Sequence, residues 1–319
     1  MTTLSTRLTA GAGLAALVGL ALAPGASTAE SAPRSLPGTL VPVYAGPAAT
    51  TQSVVEDAQS AAKAAPTAKF VVTYTGFTAE AKAAFQRAVN TWAGKLNTTV
   101  PVTVKASWEP LGPGVLGAAG PSAVWDIGGV WNVDAIANKK AGKQLNASPD
   151  IVARFSSNFT NWWFGTGPAP VGKYDFQSVV THELGHGVGF LGVGNASGST
   201  GTVKYQGKNT AYDRYTRLGS TATSPLLWKM PDNSTQLGSA LKSNNVFFDS
   251  PGVRTANGGK SAKLYAPSTW RQGSSYSHLD ETTFPKGNQN SLMTYAISDG
   301  ETIRTPGPVT LALLKTIGW

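Results

Sequence analysis

Residues 179–192 read VVTHELGHGVGFLG and hold two of the three histidines in this 319-residue chain. Residues four apart on a helix share a face, so His182 and His186 can aim imidazole nitrogens at one ion. Glu183, one step round the helix, can reach a water bound to that ion. Zinc lowers the pKa of such a water to about 7, and a neighbouring carboxylate can take the proton as the water attacks a carbonyl. HELGH therefore predicts a hydrolytic zinc site with Glu183 as general base. Two unrelated histidines on a surface helix are the plainer alternative, and the helical context weighs against them. Asp175 can cap a helix carrying Phe176, Val179, Val180, His182, Glu183 and His186, and Gly187 and Gly189 crowd its end, where a left-handed turn costs little.

Upstream, FVVTYTGF (70–77) is β-branched and aromatic, suited to a strand. Thr78 can cap a following helix, with Glu80 in its first turn. Ala84, Phe85, Ala88, Val89, Trp92 and Leu96 recur at spacings of three and four, an amphipathic stripe. VPVTVKASW (100–108) then alternates, with Val100, Val102, Val104, Ala106 and Trp108 on one face. Strand, helix, strand in this order predicts a βαβ unit opening an α/β (α+β) domain. Residues 109–148 give no firm assignment. IVARFSS (151–157) and NWWFG (161–165) read as short strands near an edge. The last clear element is PVTLALLKTIGW (308–319), with Pro308 at a helix start and Gly318 at its stop.

Arg7 precedes an uncharged run to Ala29, with Ser27 and Ala29 as small residues before a cleavage point, so residues 1–29 read as a signal peptide and the protein as secreted. Its apolar part is short for a bilayer span. Residues 30–67 are rich in Ala, Pro, Ser and Thr without periodicity, and read as a linker or a short pro-segment. The catalytic domain is then 68–319. The chain carries net charge +9 and no cysteine. Lys and Arg are scattered without a run of five, so nucleic acid is not expected as a partner, and neither is a membrane once the signal is removed. Without cysteine there are no disulfides, no zinc-thiolate site and no pro-segment thiol to cap a metal. No calcium-loop pattern occurs.

A catalytic zinc usually takes three protein ligands. No glutamate lies between Glu183 and Asp280, and Gly192 stands six residues after His186, so neither supplies a nearby ligand. His278 is the one histidine left, and Asp213 and Asp280 are carboxylate candidates. At this point HELGHGVGF, then SYSHLDE, NSLMTY and TLALLKTIGW in that order, resemble the leishmanolysin-like branch of the metzincins and its bacterial secreted relatives. The resemblance spans roughly residues 70–319, with strong motif matches only in 179–192, 276–296 and 308–319. It implies a metzincin-like core with a twisted mixed sheet, an active-site helix and a long insertion (190–277) before the third ligand. It further implies that His278 is that ligand and that Met293 belongs to a methionine turn under the metal. Tyr295, two residues on, matches the tyrosine of the S-x-M-x-Y turn, which can steady an oxyanion; a packing tyrosine is the plainer role. The leishmanolysin group proper is rich in disulfides, a departure that leaves the C-terminal architecture open.

These readings converge on a secreted zinc endopeptidase, monomeric, acting on protein or peptide substrates. The alternative is a zinc-binding surface or adhesion module without peptidase activity, its aromatics in VWDIGGVWN, NWWFG and PSTWRQGSSY lining a glycan surface.

Overall fold

The structure is a computed structural model that describes residues 34–55 and 68–319; the signal-peptide expectation for 1–29 lies outside them. The first strands are β1 (Ser35–Pro37), β2 (Val41–Ala45) and β3 (Ser53–Val55), followed by β4 (Phe70–Thr75) and helix α1 (Ala79–Ala93). Next come β5 (Val102–Glu109), β6 (Val115–Pro121), β7 (Ala123–Ile127), β8 (Val130–Val133), helix α2 (Asp134–Ala141) and β9 (Ile151–Ser156). Helix α3 (Phe176–Gly187) carries HELGH, and α4 (Thr235–Leu241), α5 (Pro251–Ala256) and α6 (Pro308–Ile317) complete the α-helices among the described residues. The fold is a mixed α+β one.

The main sheet has six strands, in the order Ala296–Ile297, β2, β6, β9, β5, β4. β4, β5 and β9 are parallel, whereas β6 runs antiparallel to β9, and β2 antiparallel to β6. The parallel β4–α1–β5 unit is the one that the alternating patterns predict. β9 corrects the expectation of an edge strand: it is paired on both sides, by β5 and by β6. Its composition fits, since Ile151, Ala153 and Phe155 are fully buried. Residues 109–148, unreadable by periodicity, supply β6, β7, β8 and α2.

In 30–67, expected as a linker or a short pro-segment, the described residues form strands. Val41 and Val43 are buried in the sheet by simple alternation in VPVYA, β1 pairs with β7, and β3 pairs with Glu301–Ile303. Proline at position 42 hides this pattern from a composition-based reading, because proline is tolerated at few strand positions.

Helix α1 buries Ala81, Ala84, Phe85, Ala88, Val89 and Trp92, and the Trp92 Nε1–H donates to the carbonyl of Thr181 on α3 at 2.9 Å. Phe77, Phe85, Phe155 and Phe176 meet mostly edge-on, with centroids 5.3–6.4 Å apart. Burying each such ring is worth about 1.5–3 kcal/mol, so this cluster fixes α1 and α3 against the sheet. Trp125, Trp131, Trp162 and Tyr276 are also buried, and the exposed aromatic surface is correspondingly small.

All twelve residues of α3 are buried. Asp175 caps the helix: its Oδ1 accepts from the Ser178 N–H at 2.7 Å, and its carboxylate takes the guanidinium of Arg304. Removing it leaves a helix end open and a largely buried cation with carbonyl partners only. Asp175→Ala is expected to cost about 3 kcal/mol, the order seen when one member of a buried ion pair is removed, read as a lower urea midpoint. The helix ends at Gly187, and two residues on Gly189 has a φ of +121°, which favours glycine. A Cβ there would meet Ile317 at 3.0 Å and Ile136 at 3.2 Å.

Residues 190–277 form a hairpin (Asn195–Ser197 with Thr200–Thr202), a three-stranded sheet and the two short helices α4 and α5. They return the chain to α3 at residue 278. At the C-terminus the Trp319 Nε1–H donates to the carbonyl of Val188 at 2.6 Å, tying α6 to the end of the HELGH helix.

Candidate metal centre

His182, His186 and His278 converge: their ligand nitrogens all lie within 4.8 Å of one another, and all three residues are fully buried. The Nε2 of His186 is 3.0 Å from that of His182 and 3.2 Å from that of His278. Three nitrogens each about 2.0–2.1 Å from one tetrahedral ion would stand about 3.3 Å apart, close to the spacing found.

Every ring is oriented from behind by a backbone carbonyl. His182 Nδ1 meets the Leu292 carbonyl at 2.6 Å, His186 Nδ1 that of Phe190 at 2.7 Å, and His278 Nδ1 that of Ser274 at 2.8 Å. A carbonyl only accepts, so each Nδ1 carries the proton and each Nε2 presents a lone pair to the centre. Burial lowers the pKa of His182 to about 4 and holds His186 and His278 well below the ordinary histidine value. Neutral imidazoles are the form a metal needs. The His186 lone pair facing those of His182 and His278 at about 3 Å is repelled by both unless a cation lies among them, and this donor set fits a divalent transition metal.

His278 arrives from a clamped segment. Its carbonyl accepts from the Tyr265 N–H at 2.9 Å, and the next residue, Leu279, donates to the Met293 carbonyl at 2.8 Å. Tyr276, two residues before, has a φ of +76°, held in place by its hydroxyl donating to Asp213 at 3.0 Å and its carbonyl accepting from Tyr212 at 2.9 Å. Asp213 is thus committed to Tyr276 and to Thr210. Asp280 accepts from Thr282 and Thr283, with Lys263 at 3.5 Å. Neither reserve carboxylate belongs to the three-histidine group.

Met293 is buried against α3. A Cβ on Gly185 would lie 2.7 Å from its Sδ and 3.4 Å from the Trp92 ring. The same turn supplies the Leu292 carbonyl to His182, so the packing of Met293 and the orientation of a ligand are one arrangement. Gly185→Val should displace this turn and weaken metal binding by about 10–100-fold, the usual cost of losing a partner behind a ligand; competition against a chromophoric chelator measures it. Tyr295 stacks on Tyr265 with centroids 4.3 Å apart and lines a cleft of ≈ 560 Å³ with Tyr44 and Arg271.

Glu183 is fully buried, and burial holds its carboxyl well above the usual carboxylate range. Oε1 accepts from the Val43 N–H at 3.2 Å, while Oε2 is buried with no hydrogen-bond partner. Such an orphan costs about 1–3 kcal/mol in a finished core; the carboxyl as a whole is also held by the backbone of Ala119. Sequence reasoning missed Val43 and the three orienting carbonyls. Backbone carbonyls leave no trace in side-chain identity, whereas Val43 was signalled by the V-P-V alternation.

No protein-family model, no curated protein and no solved structure matches this chain.

Proposed function

We propose that the chain is a secreted zinc-dependent endopeptidase of metzincin-like build, akin to the leishmanolysin branch. The observation that carries this reading is an unpartnered, buried Glu183 Oε2 on the same helix as two of three converging imidazoles. Three further features support it. β6, the one strand of the main sheet antiparallel to the rest, lies between β9 and β2 and packs on α3; the third histidine follows a long insertion; and the turn that holds Met293 packs on α3 at Gly185. Export rests on the N-terminal sequence alone.

His182, His186 and His278 would hold the ion, and zinc there supplies Lewis-acid polarisation of a carbonyl and of the attacking water. Leu292, Phe190 and Ser274 fix the tautomers so that no imidazole proton points inward. Glu183 takes the proton from the water at Oε2 and returns it to the departing amide nitrogen, the two halves of general acid–base catalysis.

Casein digestion by the zinc-loaded protein, with and without a chelator, tests the reading. Digestion that stops on chelation and returns with zinc is expected. A zinc-bound protein that stays inert towards casein and unrelated peptides, both whole and after removal of residues 30–67, would instead favour a binding module.

A further inference from the structure

A cavity of ≈ 680 Å³ shares no lining residue with the histidine site. It opens between residues 220–263 of the inserted segment and residues 283–290, which lead into the turn at Met293. The loop after α5 forms one wall: the Gly259 N–H donates to the Arg254 carbonyl at 2.8 Å, the chain reverses, and Lys260 reaches the cavity. The carboxamides of Asn257, Asn288, Gln289 and Asn290 and the hydroxyls of Ser220 and Thr283 line it, with the half-buried ring of Phe247. Some of these groups hold the wall itself. Asn290 Oδ1 accepts from the Val309 N–H at 3.0 Å, and Asn257 Nδ2 donates to the Ser261 carbonyl at 3.0 Å. The Gln289 amide and the Lys260 ammonium are exposed and have no partner among the described residues.

Charge around the cavity is one-sided. Lys263 has Asp280 at 3.5 Å, but the same Asp280 oxygen already accepts from Thr282 and Thr283. Ser261, in the wall, donates to Asp249 at 2.8 Å, and that carboxylate is shared by Arg217 at 3.0 Å and Arg254 at 3.4 Å. Both acids are thus occupied, while Lys260 is unpaired and Lys263 has donors to spare. A cleft lined by one sign of charge concentrates ligands of the other sign.

We propose that this cavity binds an acidic saccharide, a sugar that carries a carboxylate beside neighbouring hydroxyls. The lysines alone would serve any anion. The four carboxamides are what call for hydroxyls, because each amide can donate and accept at once, as a sugar hydroxyl also can. The Phe247 ring gives the C–H face of a pyranose an apolar surface to pack on, in the usual mixture of aromatic lining and a few placed polar groups. The volume falls within the range of about 300–1,000 Å³ that holds ligands of drug size, which a disaccharide is. The carboxylate would lie at Lys260 and Lys263 and the hydroxyls at Gln289 and its neighbours. This proposal does not rest on the peptidase reading, since neither the histidines nor Glu183 line the cavity.

The test is calorimetric titration of the full chain with trigalacturonic acid, beside uncharged maltotriose and inorganic tripolyphosphate, in about 0.15 M salt so that distant charges are screened. Trigalacturonic acid is expected to bind one site per chain with a dissociation constant below about 1 mM, and maltotriose at least about 10-fold more weakly. Lys260→Glu should weaken trigalacturonic acid by more than about 10-fold, since a bound anion then meets a like charge. Gln289→Ala should weaken it roughly 5-fold, the worth of one hydrogen bond, and leave tripolyphosphate unchanged. Both side chains are exposed, so both variants should keep the unaltered melting temperature. No binding of trigalacturonic acid, or binding that Lys260→Glu leaves intact, would overturn the proposal. Tripolyphosphate bound as tightly, with Gln289→Ala affecting neither ligand, would also overturn it and leave a plain anion site.

Discussion

Glu183→Gln is expected to bind zinc as tightly as the unaltered protein and to lose about 10²–10⁴-fold in peptide hydrolysis, the usual contribution of a positioned general base. The amide has the shape of the carboxyl, can still accept the Val43 N–H, and buries no charge. Fold and metal site therefore persist, while Oε2, the partnerless atom, becomes a group that cannot take a proton. The measurement is casein or peptide turnover at matched zinc content, with the thermal melt as control. Unchanged turnover with one zinc per chain would remove Glu183 from the mechanism.

The second large effect concerns the ligand that arrives last in the chain. Zinc at about 1,000 times its dissociation constant should stabilise the protein by about 4 kcal/mol, which for a chain of this size raises the melting temperature by roughly 10 °C. His278→Ala leaves two imidazoles on α3 and is expected to weaken zinc by more than about 100-fold, beyond what losing an orienting partner costs. Most of the zinc-dependent shift should then disappear. Titration by calorimetry, with melts with and without zinc, checks both. A variant that keeps one tightly held zinc and the full shift would rule His278 out as a ligand, and neither Asp213 nor Asp280 is placed to replace it.

The sequence announced the parts of this fold that repeat locally. The β4–α1–β5 unit, the cap at Asp175 and the α3 helix follow from periodicity and capping, because each is set by residues within a few positions of one another. His278 could be picked out because it was the one remaining histidine and because SYSHLDE resembles the family's third-ligand segment, while no periodicity around it marks a ligand. Its placement depends on Tyr276 in a left-handed conformation, bonded to Asp213 63 residues earlier, and on a backbone bridge to Met293. Neither has a periodic signature. β6 through α2 have no periodic signature for a related reason: VLGAAGP and VWNV are short, glycine-rich or flanked by turns; VLGAAGP is covered by β9, thirty residues or more further on, and VWNV by its hairpin partner β7 and a bridge from Trp131 to Thr210. β2 was misjudged by composition. A stretch dominated by Pro, Ala and Thr suggests a tether, yet two valines at alternate positions suffice for a strand once a sheet edge is waiting.

His186 and His278 are 92 residues apart in the chain and 3.2 Å apart in space. Closing a loop of that length costs about 4 kcal/mol of chain entropy, and no disulfide shares the burden. The site therefore assembles only after the inserted segment has found its own place, late on the folding route. An ion captured at that stage would work as a clasp: it would fasten an already folded chain, slow its opening, and make resistance to proteolysis depend on metal supply as much as on the packing of the core.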